Sequence, residues 1–428
     1  MTEFFKNNRK KLFENIEDSS AVILFAGKAP VKRGDENYPF TPDRNFYYLT
    51  GIDREEAIFV LTKNNGEYGE TLYIKRDNGY LAKWIGANIT PEEASFKSGI
   101  ENINYIDWYN DDISSFIFKN NIKNLYLDLE CRDITSNITP SVAFYEGFSK
   151  RYPHIKIKNV YDIIGELRVI KSDYEISLMR KAIDITRLGI EEMMKNSRAG
   201  MYEYEIEAYF DFILKKNGVM DKAFQTIGAS GKNGTILHYS KNNCKTNDGD
   251  LILFDVGAQW GYYNGDLTRT FPVNGKFTDL QKKIYNIVLE GQLKVIESMK
   301  PGENYSRLNE ILKEHYFEEL KKIGLVEKFE DVSKYYYHSV GHFLGAETHD
   351  VGRYKDRVLE KGMVITVEPG LYIEEYGIGI RIEDDVLITE NGNEVLSKDM
   401  IKTVEDIEKF MAKAKELWNI KRKNFFYL

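Results

Sequence analysis

Four acidic residues of this 428-residue chain sit on strand-like segments where period-2 alternation turns them towards an inward face: Asp255 in LILFDVG, Asp266 in NGDLTRT, Glu368 in MVITVEPG and Glu383 in GIRIEDDVLI. Leu251, Leu253 and Asp255 share one face, so Asp255 interrupts an apolar stripe. A buried carboxylate without a partner is costly, so a partner is required. Beyond Gly261 and Gly265, in GYYNG, lies Asp266; the glycines predict a hairpin that sets the two aspartates opposite one another. Thr366 and Glu368 share a face, and Pro369 biases Glu368 towards extended backbone. Arg381, Glu383 and Asp385 lie opposite Ile380 and Ile382.

Four carboxylates packed together repel, and their pKa values rise unless cations neutralise them. Two divalent metals would balance Asp255, Asp266, Glu368 and Glu383. One neutral histidine added to them makes an oxygen-rich site that suits manganese, cobalt, iron or zinc better than a thiolate-type zinc site. Paired metals of this kind can share a hydroxide nucleophile and polarise the bond it attacks. The histidine comes from HSVGHFLGAETH (338–349). Its spacing of four matches the helical zinc motif HExxH, but Ser339 stands in place of the glutamate, and Gly341 and Gly345 disfavour a helix. Taken singly, each acid reads as a turn, a solvated edge or a salt-bridge partner. The conjunction decides: acids on four segments, with His338, His342 and His349 close together among only six histidines. His154 and His315 read as surface or packing residues.

The elements that position these groups follow from periodicity. Residues 1 to about 165 alternate strand-like runs (AVILFAG, NFYYLTG, EAIFVLT, TLYIK, NLYLDL) with helical ones (PEEASFKSG, SVAFYEGFSKRY), which predicts an α/β domain. Near Lys171 the pattern changes. Ser172 and Glu175 form a capping box, followed by Ile176, Met179, Ile183 and Ile190 at helical spacing. A second helix is predicted over 203–217. The outline then repeats, with helices over 279–299 and 304–323 and strand-like runs over 363–373 and 378–390. Two helix–helix–strand blocks predict a pseudo-symmetric domain whose site draws ligands from both halves. Val404, Ile407, Phe410, Met411 and Leu417 predict a terminal amphipathic helix packed on it. The fold class is thus α/β (α+β), with domains over 1–168 and 169–428.

Hydrophobic residues are 42% and charged residues 29%, which excludes a disordered or disulfide-scaffold chain. A net charge of −8 advertises neither nucleic acid nor an acidic membrane as partner. No run approaches the roughly 20 apolar residues that span a bilayer. Cys131 and Cys244 form no CxxC pair and read as reduced thiols, so a cytoplasmic protein is expected.

Four stretches, FDVGAQWGYYNGDLTRTFPVNGKF (254–277), HSVGHFLGAETHDVG (338–352), TVEPGLYI (366–373) and GIRIEDD (379–385), resemble the signature segments of the pita-bread metallopeptidases in order and spacing. That group contains aminopeptidase P, prolidase and methionine aminopeptidase. YPFTPDRNFYYLTGID (38–53) and Trp84 in AKWIGANIT resemble the smaller creatinase/aminopeptidase P-type domain that precedes the catalytic one. The resemblance implies that Asp255 binds one metal, that Asp266 and Glu383 bridge both, and that His342 and Glu368 complete the other, with Mn(2+) first among the candidates. It implies Glu368 as proton shuttle to the leaving nitrogen, and His238 and His349 as stabilisers of the tetrahedral intermediate. His338, Tyr372 and Arg381 would surround the residue after the scissile bond, and Trp84 would reach a neighbouring subunit's site in a homodimer or homotetramer.

The implied activity removes the N-terminal residue from peptides with proline second. An Xaa-Pro bond lacks the N–H that general peptidases grip, and its ring opposes extended-strand binding. Prolidase, restricted to Xaa-Pro dipeptides, is the alternative. A non-catalytic protein-binding relative is a weaker one, because all five ligand positions are retained. No nucleic acid or membrane partner is expected.

Overall fold

In Ser20–Phe25, Val22 and Leu24 point to one side and Ala21 and Ile23 to the other, so this strand requires cover on both faces. The computed structural model describes residues 1–131 and 133–425, with side chains described through residue 416. The chain divides into two units, Met1–Arg168 and Val169 onward. In the first, a six-stranded sheet runs in the order Ile103–Tyr105, Glu67–Ile74, Ile58–Asn64, Ser20–Phe25, Asn124–Leu127, Lys156–Asn159. Val22, Phe59 and Leu72 pack on one face with Leu12, Phe46 and Ala94. Ile23, Val60 and Leu125 pack on the other with Tyr109, Ile113 and Phe148.

One predicted strand of this unit is a helix. NFYYLTG forms Arg44–Thr50, because the Asp43 side chain accepts from Phe46 N and Gly51, in the left-handed region, donates to Tyr47 O. Both ends of a seven-residue segment are thereby capped, and burial of Phe46, Tyr48 and Leu49 outweighs the β-propensity of its aromatics.

In the second unit the expected repeat is present. Ser172 and Glu175 form the capping box of Asp173–Asn196, which packs on Glu203–Lys216. A sheet orders Leu267–Pro272, Leu251–Val256 and Ile227–Ser230. In the second half, Asp279–Ser298 packs on Tyr305–Lys322, and a sheet orders Val364–Val367, Asp384–Ile388 and Asn393–Val395. The tail helix Val404–Phe425 packs on Asp173–Asn196 and Asp279–Ser298. The side chain of Leu417 lies outside the described residues.

Two local expectations are corrected. The hairpin after Asp255 forms, but its register sets Asp255 opposite Thr268, and Asp266 lies just before the ladder that begins at Leu267. The cause is a second short ladder, Gln259–Trp260 with Tyr263–Asn264, which uses up residues that a simple turn would leave free. The runs 363–373 and 378–390 are each broken. The first divides into Val364–Val367 and Gly370–Ile373, the second into Ile378–Arg381 and Asp384–Ile388. Glu368 and Glu383 sit at the breaks. Pro369 has no N–H for a ladder. The fully buried Gln292 donates from its amide to both Val367 O and Ile382 O, at 3.0 Å each, which satisfies carbonyls the breaks expose.

The two halves are joined by Arg269, wholly buried on Leu267–Pro272. Its guanidinium meets Asp384 at 2.7 Å and donates to Glu383 O at 2.5 Å and Ile401 O at 2.9 Å. Removing one partner of such a pair strands the other in low dielectric. Arg269→Met is expected to lower unfolding free energy by roughly 3–5 kcal/mol in denaturant titrations. A loss below about 1 kcal/mol would show that the halves are joined by other means.

Candidate metal centre and its walls

The His342 segment runs as an irregular edge beside Val364–Val367. Thr366 N donates to His342 O, His342 N to Thr366 Oγ1, and Glu368 N to Val340 O, at 2.9, 3.0 and 2.9 Å. Gly341 permits this approach: a Cβ there would lie 1.8 Å from Thr366 O. No helix forms over 338–349, as Gly341 and Gly345 predict.

His342 Nδ1 lies 3.0 Å from Phe343 O, a carbonyl that only accepts, so Nδ1 carries the proton. Burial, with His349 adjacent, pushes the ring's pKa down to about 4, so the imidazole is neutral. Its Nε2 lone pair therefore faces Asp266 Oδ2 and Glu368 Oε1, each at 3.6 Å. A lone pair turned towards two acids is an arrangement that a cation resolves. Asp266, His342 and Glu383 offer ligand atoms all within 4.8 Å of one another.

Asp255 and Glu368 flank that trio. Asp255 Oδ2 accepts from Arg381 Nη2 at 2.6 Å, while its Oδ1 is buried with no hydrogen-bond partner among the described residues. Asp385, absent from the expected ligand set, lies beside them. Its Oδ2 accepts from Asp266 N at 3.1 Å, and its buried Oδ1 is likewise unpartnered. Burial, then repulsion from neighbouring acids, raises Asp266 and Glu383 well above the usual carboxylate range. Burial and Asp255 lift Glu368 to about 8 against the pull of Arg381. The acids thus lack the positive charge their burial demands, and the donor set, oxygen-rich with one neutral nitrogen, fits divalent cations.

One wall of the centre is a relay of hydrogen bonds. Arg381 Nη1 donates to Tyr372 Oη at 3.0 Å. His338 Nδ1 faces Ser339 O at 2.7 Å and so carries its proton, leaving Nε2 to accept from Tyr372 Oη at 2.9 Å. Burial, with Arg381 nearby, lowers His338 to about 4. Arg381 gives three of its five N–H donors to the protein, to Asp255, Tyr372 and Thr268 Oγ1. The His349 ring is exposed, 4.4 Å from that of His342 in an edge-on arrangement. His238 is exposed and adds to the field that lowers His338. Trp84 lies in the other unit, on Ala82–Ile85, and is 74% exposed. His154 is exposed, and His315 is buried with Nε2 against Ile287 O.

Sequence reading gave no role to Thr268, whose hydroxyl donates to Glu383 Oε2 at 2.7 Å, or to Gln292. The alternation of GDLTRT, which aligns Asp266 with Thr268, carried a signal for the first. Nothing local marks Gln292, which lies on a helix remote in sequence from both breaks.

Residues 177–390 match metallopeptidase family M24, and residues 5–126 match the aminopeptidase P N-terminal domain. The chain is 33% identical to an Xaa-Pro aminopeptidase of Escherichia coli, over 96% of its own length and 98% of that protein's. The chain belongs to metallopeptidase family M24. Its fold is that of an M24 catalytic domain preceded by the aminopeptidase P N-terminal domain. Aminopeptidase P from E. coli, solved with the inhibitor Pro-Leu, superposes with a TM-score of 0.89 at 32% identity, covering 97% of this chain and 99% of that one. A Bacillus anthracis chain assigned provisionally to aminopeptidase P gives 0.95 at 50% identity, covering 96% and 99%. As in any M24 metallopeptidase, divalent metal is implied, and the buried acids provide for it.

A glutamate that titrates near 8 when folded and near 4.5 when unfolded binds its proton more tightly in the folded state between those values. The Glu368 contribution to stability of the metal-free protein is therefore lost as pH rises from about 4.5 to about 8. Unfolding titrations of chelator-treated wild type and Glu368→Gln across that interval check this. The wild type is expected to lose stability relative to the variant as pH rises, and added divalent cation to remove the trend. A relative gain would contradict it.

Proposed function

We propose that this chain is an Xaa-Pro aminopeptidase, releasing the N-terminal residue from peptides whose second residue is proline. The observation that carries this reading is the undercharged carboxylate cluster around a neutral His342, in a chain similar to aminopeptidase P almost from end to end. Asp255, Asp266, His342, Glu368 and Glu383 would hold two divalent ions, Mn(2+) first among them. When bound, the ions neutralise these acids, lower the pKa of water and polarise the scissile carbonyl.

Glu368, its charge stabilised by the bound ions, would take a proton from the attacking water and deliver it to the proline nitrogen as the bond breaks. His238 and His349, both exposed, offer ring N–H groups to the oxygen on which charge develops. His338 and Tyr372 form the wall beside the pyrrolidine, with the Tyr337 ring 5.4 Å from that of Tyr372. Arg381 holds Tyr372 and Asp255 in place. Residues 1–168 form the accessory domain and 169–428 the catalytic one. The exposed Trp84, Tyr80 and Ile85 support a homodimer or homotetramer in which Trp84 reaches a neighbouring site. The exposed, unpaired Cys131 and Cys244 support a cytoplasmic setting.

A second reading is Xaa-Pro dipeptidase, favoured by 31% identity to the rat enzyme of that name over 95% of this chain and 93% of that one. Hydrolysis of an Xaa-Pro-Yaa tripeptide against an Xaa-Pro dipeptide by manganese-loaded protein separates the two. Cleavage of the tripeptide is expected, and cleavage of the dipeptide alone would overturn the proposal. Glu368→Gln is expected to lower turnover by about three orders of magnitude while retaining metal measured by elemental analysis. Near-normal turnover would refute the shuttle.

A further inference from the structure

Helix Glu203–Lys216 begins on a carboxylate that is 0% exposed and faces no lysine or arginine among the described residues. Glu203 instead accepts five hydrogen bonds. Oε1 takes Ser230 N at 2.8 Å, Ser230 Oγ at 2.7 Å and Asn233 Nδ2 at 3.0 Å. Oε2 takes Tyr239 Oη at 3.0 Å and Cys244 N at 2.9 Å. All five donors belong to the segment 230–244, from its first residue to its last, and that segment carries His238.

The arrangement is specific to an anion. Ser230 N, Asn233 Nδ2 and Cys244 N can only donate, and each carboxylate oxygen faces at least one of them, so an amide in place of the carboxylate would turn its own N–H groups towards a donor. Hydrogen bonds to a buried charge are also about twice as strong as neutral ones, and the helix N-terminus favours a negative charge. A neighbouring clamp holds the same segment: the Asn242 amide donates to Glu207 Oε2 at 2.8 Å and to Thr226 O at 2.9 Å. On its other side the segment abuts the strand bearing Arg381. A Cβ on Gly379 would lie 1.8 Å from Gly234 O, and Tyr337 Oη donates to Thr235 O at 3.0 Å. His238 itself is exposed, and its neighbour Tyr239 is buried with its hydroxyl on Glu203.

We propose that Glu203 is a positioning residue for the peptidase reaction, the anionic hub that folds residues 230–244 into the arrangement presenting His238 on the His338 side of the centre. This rests on the reading of His238 as a group that acts on substrate. A residue that merely stabilised the fold would affect activity equally whether or not His238 were present, whereas a residue acting through His238 has nothing left to lose once His238 is gone.

The experiment is a double-mutant cycle on the full-length, manganese-loaded protein, with Glu203→Gln, His238→Ala and both, assayed on an Xaa-Pro-Yaa tripeptide alongside metal content and thermal unfolding. Glu203→Gln is expected to lower kcat/KM by about 10- to 100-fold, with metal content retained. Introduced into His238→Ala, it is expected to cost less than about twofold further. An unaffected Glu203→Gln, or an equal loss in both backgrounds, overturns the inference while leaving the His238 reading intact. Undiminished activity of His238→Ala overturns that reading and the inference with it. Should Glu203→Gln fail to fold, Tyr239→Phe, which removes one donor, passes through the same cycle. A loss of a few-fold that disappears without His238 supports the hub, and a loss that persists overturns it.

Discussion

The second unit is organised around acids held where water is scarce and counter-charge is insufficient. Arg381 is the cation that faces Asp255, and burial raises Asp266, Glu368, Glu383 and Asp385 despite it. Such a cluster is unfavourable in a fold that has only to be stable. It persists because the surrounding structure over-determines it. Strands from two halves interlock through Arg269 and through Glu383 N on Thr268 O, and Gln292 satisfies both strand breaks with one amide.

Those breaks turn a sheet into a site. An unbroken ladder would commit the backbone around Glu368 and Glu383 to neighbouring strands and leave their side chains alternating in and out. Interruption at Pro369 and at Ile382 frees both acids to face the centre, and the edge left at Val364–Val367 accepts the His342 segment. The absence of a Cβ at Gly341 then lets the His342 backbone lie against Thr366, and the Nδ1 contact with Phe343 O orients the imidazole.

How much of this was legible in the sequence follows from the range of the interactions. Alternation along LILFDVG and GIRIEDD is local, so the inward faces of Asp255 and Glu383 were readable, as was the capping box at Ser172. The helix at Arg44–Thr50 was not, because aromatic residues score as strand formers and only two capping bonds with tertiary burial reverse that. The offset between Asp255 and Asp266 depended on a four-residue ladder too short to show periodicity. Gln292 and Glu203 were invisible for a different reason: their partners lie far along the chain, and amphipathic helices carry many Gln and Glu that face solvent.

The triplet Glu383-Asp384-Asp385 shows how the fold rations charge. All three acids are buried, and adjacent members shift in opposite directions. Asp384 points to the face where Arg269 and Lys402 wait at 2.7 and 2.8 Å, and despite burial they pull it below the ordinary aspartate value. Glu383 and Asp385 point to the opposite face, where the nearest cation is already engaged by Asp255, and burial drives them up. Strand alternation thus sorts three neighbouring acids into one that staples the halves together and two that remain in want of a cation. Placing Lys402 on the second face would supply one of the positive charges those acids lack, and the fold keeps that lysine on the first, with Asp384.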